Sequence, residues 1–88
     1  MIVPAARELD LATCPTLADQ LDEIPAEAAV IVDLGGVDFC DSTGVAVLLN
    51  ARERQVLGGG TLRIRGASRH VELALTIMGV YDLLATAD

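Results

Sequence analysis

Apolar residues recur along this chain at two periods, and the switching between them predicts the order of elements. Leu17, Leu21 and Ile24 are spaced by four and three, marking one face of a helix, with Asp19, Gln20, Asp22 and Glu23 on the other. Thr13 is placed to cap that helix, Pro15 is tolerated in its first turn, and Pro25 ends it. Val30, Ile31 and Val32 form a short continuous apolar run, as expected of a fully buried strand. Val45, Leu48, Leu49 and Val56 give a second helical stripe, from residue 43 or 44 to residue 57, stopped by Gly58, Gly59 and Gly60. Leu62 and Ile64 then alternate with Arg63 and Arg65, a half-buried strand from Thr61 to Arg65. A third helix begins after Ser68, carries Val71, Ala74, Leu75 and Met78 as its stripe, and closes at Gly79.

The intervening stretches are shorter. Met1 to Ala6 reads as an edge strand, because Pro4 cannot donate to a ladder. Ala26 to Ala29 is a connector, Gly35 and Gly36 form a turn or bulge, and Val37, Asp38 and Phe39 are extended. Val80 to Leu84 is expected as a last short strand. This alternation implies an α/β fold: βαβ units, right-handed crossovers and a small, mostly parallel sheet. Helices are expected mainly on one face or partly on both. At 88 residues the chain is expected to be a single domain, 1–88.

Composition narrows the function. With 52% hydrophobic and 22% charged residues the chain reads as globular. No apolar run approaches the roughly 18–20 residues needed to span a bilayer, so direct membrane insertion is not expected. Residues 1–6 lack the basic flank of a signal peptide, which makes the cytoplasm the expected location. The net charge of −7 is uneven. Residues 1–44 hold nine acids and Arg7, a balance of −8; residues 45–88 hold five arginines and four acids, a balance of +1. Phosphate backbones are repelled by such a first half, which argues against nucleic acid as a partner. An acidic face can steer a basic protein, or serve only as a solvated surface.

Between the central strand and the second helix lies Asp41-Ser42-Thr43-Gly44, two hydroxyls and a carboxylate at the start of a helix. Catalysis by Ser42 needs a base, yet the one histidine, His70, is expected on the surface beside Arg69, and no Gly-x-Ser-x-Gly elbow is present. Asp33, Asp38 and Asp41, spaced by five and three, lack the further oxygen ligands of a metal site. Residues 58–60 follow a helix, not a strand, and lack the Gly-Lys-Ser/Thr ending of a phosphate loop. Cys14 and Cys40 are too few for a disulfide or zinc scaffold; Cys40, beside Phe39, reads as a small core residue. Two readings of the turn stay open. Ser42 or Thr43 caps the helix, or Ser42 is a substrate whose phosphate would sit on the helix N-terminus.

The stretch Val37-Asp38-Phe39-Cys40-Asp41-Ser42-Thr43-Gly44, after Val32-Asp33-Leu34, resembles the STAS domain of bacterial anti-sigma factor antagonists, which carry Asp-Ser-Ser/Thr-Gly at their second helix. Glu8-Leu9-Asp10, Gly58-Gly59-Gly60-Thr61-Leu62, Ser68-Arg69-His70-Val71 and Met78-Gly79-Val80 extend the likeness across roughly residues 8–84. The resemblance implies a STAS-like α/β fold with about three helices, no enzymatic activity and no cofactor. It implies that Ser42 is phosphorylated by a serine kinase that is itself the anti-sigma factor, and restored by a PP2C-type phosphatase. Asp10, Asp38, Asp41, Ser42, Thr43 and Gly44 would then meet that partner. The alternative within the family is a STAS subunit of a lipid-transport or stressosome-like assembly. Three departures are visible. Only seven residues precede Glu8, which would leave a sheet edge open for a homodimer; the final helix is absent or shortened after Leu84; and Val45-Ala46 replaces the common Leu-Gly.

Overall fold

The computed structural model describes residues 1–85. Its strands are β1 (Ile2–Pro4), β2 (Glu8–Leu9), β3 (Ala29–Asp33), β4 (Phe39–Cys40) and β5 (Thr61–Arg65). Its helices are α1 (Cys14–Asp22), α2 (Ser42–Leu57), α3 (Arg69–Ile77) and α4 (Tyr81–Leu84). The strands form a three-stranded sheet ordered β1-β3-β5 and a two-stranded ribbon of β2 and β4, every pair parallel. The α/β, mostly parallel fold is therefore present, with a small fourth helix.

One face of the larger sheet is buried, by Val3, Val30, Val32, Leu62 and Ile64. Helices α1 and α2 pack on each other, and α2 packs on β5. The other face carries Ile2, Pro4, Arg63 and Arg65, all exposed, with Ile31 and Asp33 half-buried. So β3 is not buried on both faces as its apolar run implied. Ile31 points to the more exposed face.

Pro25 and the apolar face of α1 behave as expected, since Leu17, Leu21 and Ile24 are all buried. The start of α1 differs. Thr13 precedes it but makes no side-chain cap. Its hydroxyl is occupied by the Glu8 carbonyl and the Asp10 N–H, and the Asp10 carboxylate accepts from the N–H groups of Ala12 and Thr13. Asp10 thus builds the turn that launches the helix.

Helix α2 corrects one core position. Val56 is 50% exposed, whereas Gln55 is 2% exposed. From Leu48, seven residues rotate about 700°, some 20° short of two turns, so residue 55 sits above Leu48 and residue 56 is about 80° away. The Gln55 amide donates to the carbonyls of Pro25 and Ala28, both at 3.0 Å, and accepts from Arg54 at 2.8 Å. A polar side chain is tolerated there because its amide group is engaged on both sides. It ties the end of α2 to the loop entering β3. Gln55→Leu keeps the volume and removes these bonds, and should cost about 2 kcal/mol in urea denaturation. Gly60 lies in the same place, where a Cβ would run into the carbonyls of Ala26 and Ala28.

The expected strand over residues 80–84 is a helix instead. After Gly79 the Val80 N–H returns to the Leu75 carbonyl at 3.0 Å, and Leu84 N–H bonds Val80 at 3.1 Å. Leu84 is buried and Leu83 exposed, adjacent residues that a helix turns to different sides. Only Ala85 is sheet-like, bridging Ile64 in parallel.

Candidate functional site

The β2–β4 ribbon was not foreseen, and it positions the Asp41-Ser42-Thr43-Gly44 turn. Glu8 pairs with Phe39 and Leu9 with Cys40, and the Asp41 N–H continues the ladder to the Leu9 carbonyl at 3.1 Å. Asp41 is extended, with φ −112° and ψ −175°, and the next residue begins α2. Its carboxylate accepts from Thr43 N–H at 2.9 Å and Gly44 N–H at 3.2 Å, while its carbonyl accepts from Val45 N–H at 3.1 Å. The N-cap is therefore Asp41, where sequence had pointed to Ser42 or Thr43. A carboxylate there satisfies two orphan N–H groups and suits the positive end of the helix. Asp41→Ala should cost about 1 kcal/mol by thermal melting, and Asp41→Asn much less.

Capping by Asp41 leaves the Ser42 side chain uncommitted. Ser42 is exposed, and its hydroxyl has no hydrogen bond among the described residues. Thr43 is half-buried beside it. Gly44 is buried: a Cβ there would lie 2.7 Å from both the Cβ and the carbonyl oxygen of Leu9. The motif glycine is what lets the first turn of α2 press against β2.

Continuing the ribbon register by one residue sets Asp10 opposite Asp41, so both carboxylates flank the serine turn. Asp38 lies at the other end of β4, about 10 Å along the strand from Asp41. There its N–H bonds the Arg7 carbonyl and its carboxylate meets Arg7 at 2.6 Å. That pair is well exposed, so solvent screens it and it adds little to stability. The structure thus groups Asp10, Asp41, Ser42, Thr43 and Gly44, and sets Asp38 apart.

Two exposed apolar residues stand close in sequence to Asp10 and Asp41. Phe39 is 48% exposed and Leu11 75% exposed, large apolar side chains at either end of the ribbon strands. Of Phe39 and its neighbour Cys40, only Cys40 is expected in the core, and it is buried. Neighbours in a strand face opposite ways, and Cys40 takes the inside. Burial pushes the Cys40 thiol up to about 11, helped by Asp41 and Cys14, and burial likewise raises Cys14. Both thiols are held protonated near neutral pH, which suits core residues and not reactive ones.

The three aspartates considered for a metal are engaged separately. Asp33 is held below the usual carboxylate range by the Gly35 N–H and Arg65, Asp38 pairs with Arg7, and Asp41 caps α2. His70 is exposed on the first turn of α3, whose cap is Ser68, accepting from Val71 N–H at 3.3 Å.

No helix among the described residues is long and apolar enough to cross a membrane. Compared with curated proteins, the chain matches none. A family model described as "Mlab, STAS domain" matches residues 2–85, nearly the whole chain. The small α/β fold with its parallel sheet is consistent with a STAS domain, and the chain belongs to that family.

Proposed function

We propose that the chain is a regulatory binding module, an anti-sigma factor antagonist switched by phosphorylation of Ser42. The observation that carries this reading is the division of labour at the turn. Asp41 caps the helix, so the exposed Ser42 hydroxyl is available to a kinase without loss of the cap. The unphosphorylated chain binds a serine kinase that is also the anti-sigma factor, and so frees the sigma factor in the cytoplasm. Transfer of the γ-phosphoryl group of ATP to Ser42 Oγ, with release of ADP, ends that binding; a PP2C-type phosphatase reverses it. The module itself supplies no catalytic group.

Phe39 and Leu11 extend the contact surface beyond the acidic residues. Exposed large apolar side chains flanked by Glu8, Asp10 and Asp41 fit a partner surface with an apolar pocket and basic rim. Phe39→Ser should weaken kinase binding about ten-fold or more in calorimetry, with little change in melting temperature. Phosphate mapping by mass spectrometry after incubation with kinase and ATP tests the acceptor. Phosphate is expected on Ser42 and lost in Ser42→Ala; labelling of Thr43 instead would refute the assignment.

A second reading, a STAS subunit of a lipid-transport or stressosome-like assembly, is favoured by a separate groove between α2 and α4. Its apolar residues are Leu49, Val56, Leu57 and Leu83, far along α2 from Ser42. Stable co-purification with a membrane permease, unaffected by Ser42→Ala, would decide for this reading.

A further inference from the structure

The larger sheet ends on β1, and the bonds around that strand show which of its polar groups face outward. The Met1 carbonyl accepts from Ile31 N–H at 2.8 Å, and Ala5 N–H donates to the Asp33 carbonyl at 3.0 Å. Residues 1, 3 and 5 therefore turn their backbone groups toward β3, and the alternation of a parallel strand turns those of Ile2 and Pro4 away. Pro4 has no N–H. The open edge offers one donor, on Ile2, and two acceptors, on Ile2 and Pro4. The opposite edge, β5, is met by Ala85 at Ile64.

Alongside the open edge runs a groove of about 360 Å³ between β1 and the end of α1. Val3, Ile24 and Pro25 give it an apolar floor, and Gln20 and Glu23 a polar rim. A strand added beside β1 would point alternate side chains into this groove. Its other side chains would lie next to Ile2, which is 51% exposed on the open face of the sheet.

We infer that this edge and groove receive an extended segment of a partner protein, added as a further strand beside β1, with an aliphatic side chain on Ile24 and Pro25 and a Lys or Arg facing Glu23. A second copy fits poorly. Two β1 strands paired antiparallel at Ile2 exchange two hydrogen bonds and leave both Pro4 carbonyls unmatched. Shifted so that Ile2 faces Pro4, each pair makes one hydrogen bond, from the Ile2 N–H to the Pro4 carbonyl, and leaves the Ile2 carbonyl unmatched. Two copies also bring together chains of net charge −7, each carrying Glu23 on the rim of this groove. A foreign segment supplies the missing donors and the opposite charge, as in strand addition to other sheet edges. The site is remote from the Ser42 turn and stands independently of the switch.

The test is an NMR titration of the full, nitrogen-15-labelled chain with a synthetic peptide, Thr-Ser-Val-Thr-Lys-Thr-Ser, whose Val and Lys share one strand face. Saturable shifts are expected at Ile2, Ile24 and Glu23, with slowed exchange of the Ile2 N–H. N-methylation of the peptide at alternate positions, in the phase that removes the edge-facing donors, should weaken binding about ten-fold. Glu23→Gln should weaken it about three-fold. Absence of shifts at β1 with millimolar peptide, or indifference to N-methylation, would overturn the proposal. Concentration-dependent dimerisation with shifts at Ile2, without peptide, would assign the edge to a second copy and overturn the partner assignment.

Discussion

Replacing Gly44 by valine is expected to destabilise this chain by about 3 kcal/mol or more, from overpacking at a rigid contact. A single Cβ at this position already lies 2.7 Å from the Leu9 backbone carbonyl, and Leu9 is fully buried. Neither neighbour can yield cheaply. Leu9 is held by β4 through its pairing with Cys40, and Gly44 N–H by the Asp41 carboxylate. The γ-methyls of valine add to the clash. Better helix propensity than glycine returns only a few tenths of a kcal/mol. A chain of this length has total stability of roughly 4–13 kcal/mol, so the melting temperature should fall by about 12 °C or more. Gly36→Ala is the control, since nothing lies within 4 Å of its Cβ position, and it should stay within about 0.5 kcal/mol. Equal melting temperatures for the two variants would remove the close-packing account of the motif glycine.

The other large effect concerns binding. Phosphorylation of Ser42 should weaken kinase binding by about 100-fold or more while leaving the melting temperature within a few degrees. The phosphate brings about −1.5 to −2 charges to a surface that already holds Asp10 and Asp41. The Asp41 carboxylate has taken the N–H groups of Thr43 and Gly44, so the phosphate cannot have them without displacing the cap. Its oxygens are directed outward instead, toward whatever covers the turn. Burying that charge against a surface shaped for a neutral hydroxyl costs several kcal/mol, and 2.8 kcal/mol is about 100-fold. The fold is spared because Ser42 is exposed and makes no bond that the phosphate must break. Ser42→Asp should show part of the effect, with less charge and fewer oxygens.

How much of this was legible depends on the range of the forces involved. The faces of α1 and α3 follow from periodicity, because Leu17, Leu21, Val71 and Leu75 have no alternative to burial. β5 is equally plain, with Leu62 and Ile64 in and Arg63 and Arg65 out. What escaped were features created by partners distant in sequence. Glu8 and Leu9 become a strand only because Phe39 and Cys40 arrive beside them, and two residues carry too little pattern to announce it. Gln55 is inside, and Val56 outside, because carbonyls some 30 positions earlier accept its amide. Residues 80–84, expected as a strand, form a helix, five residues being too few to separate the periods.

At the site, the motif marked the location and the resemblance implied the role, but spacing could not choose the cap. Asp41, Ser42 and Thr43 are all good cap residues, and the choice went to Asp41 because the ribbon fixes its backbone as extended. Cys40 is buried as its apolar context implied, and alternation along the extended stretch turns its neighbour Phe39 outward. The open sheet edge expected from the short segment before Glu8 is that of β1, and its donor-poor character comes from Pro4.

The central claim is that Ser42 is a switch for protein binding, and one comparison tests it most directly. Calorimetric affinity for the anti-sigma kinase is measured for the unphosphorylated chain and for the same chain carrying stoichiometric phosphate on Ser42. The account predicts tight binding of the first and a loss of about 100-fold or more for the second. Equal affinities would contradict it.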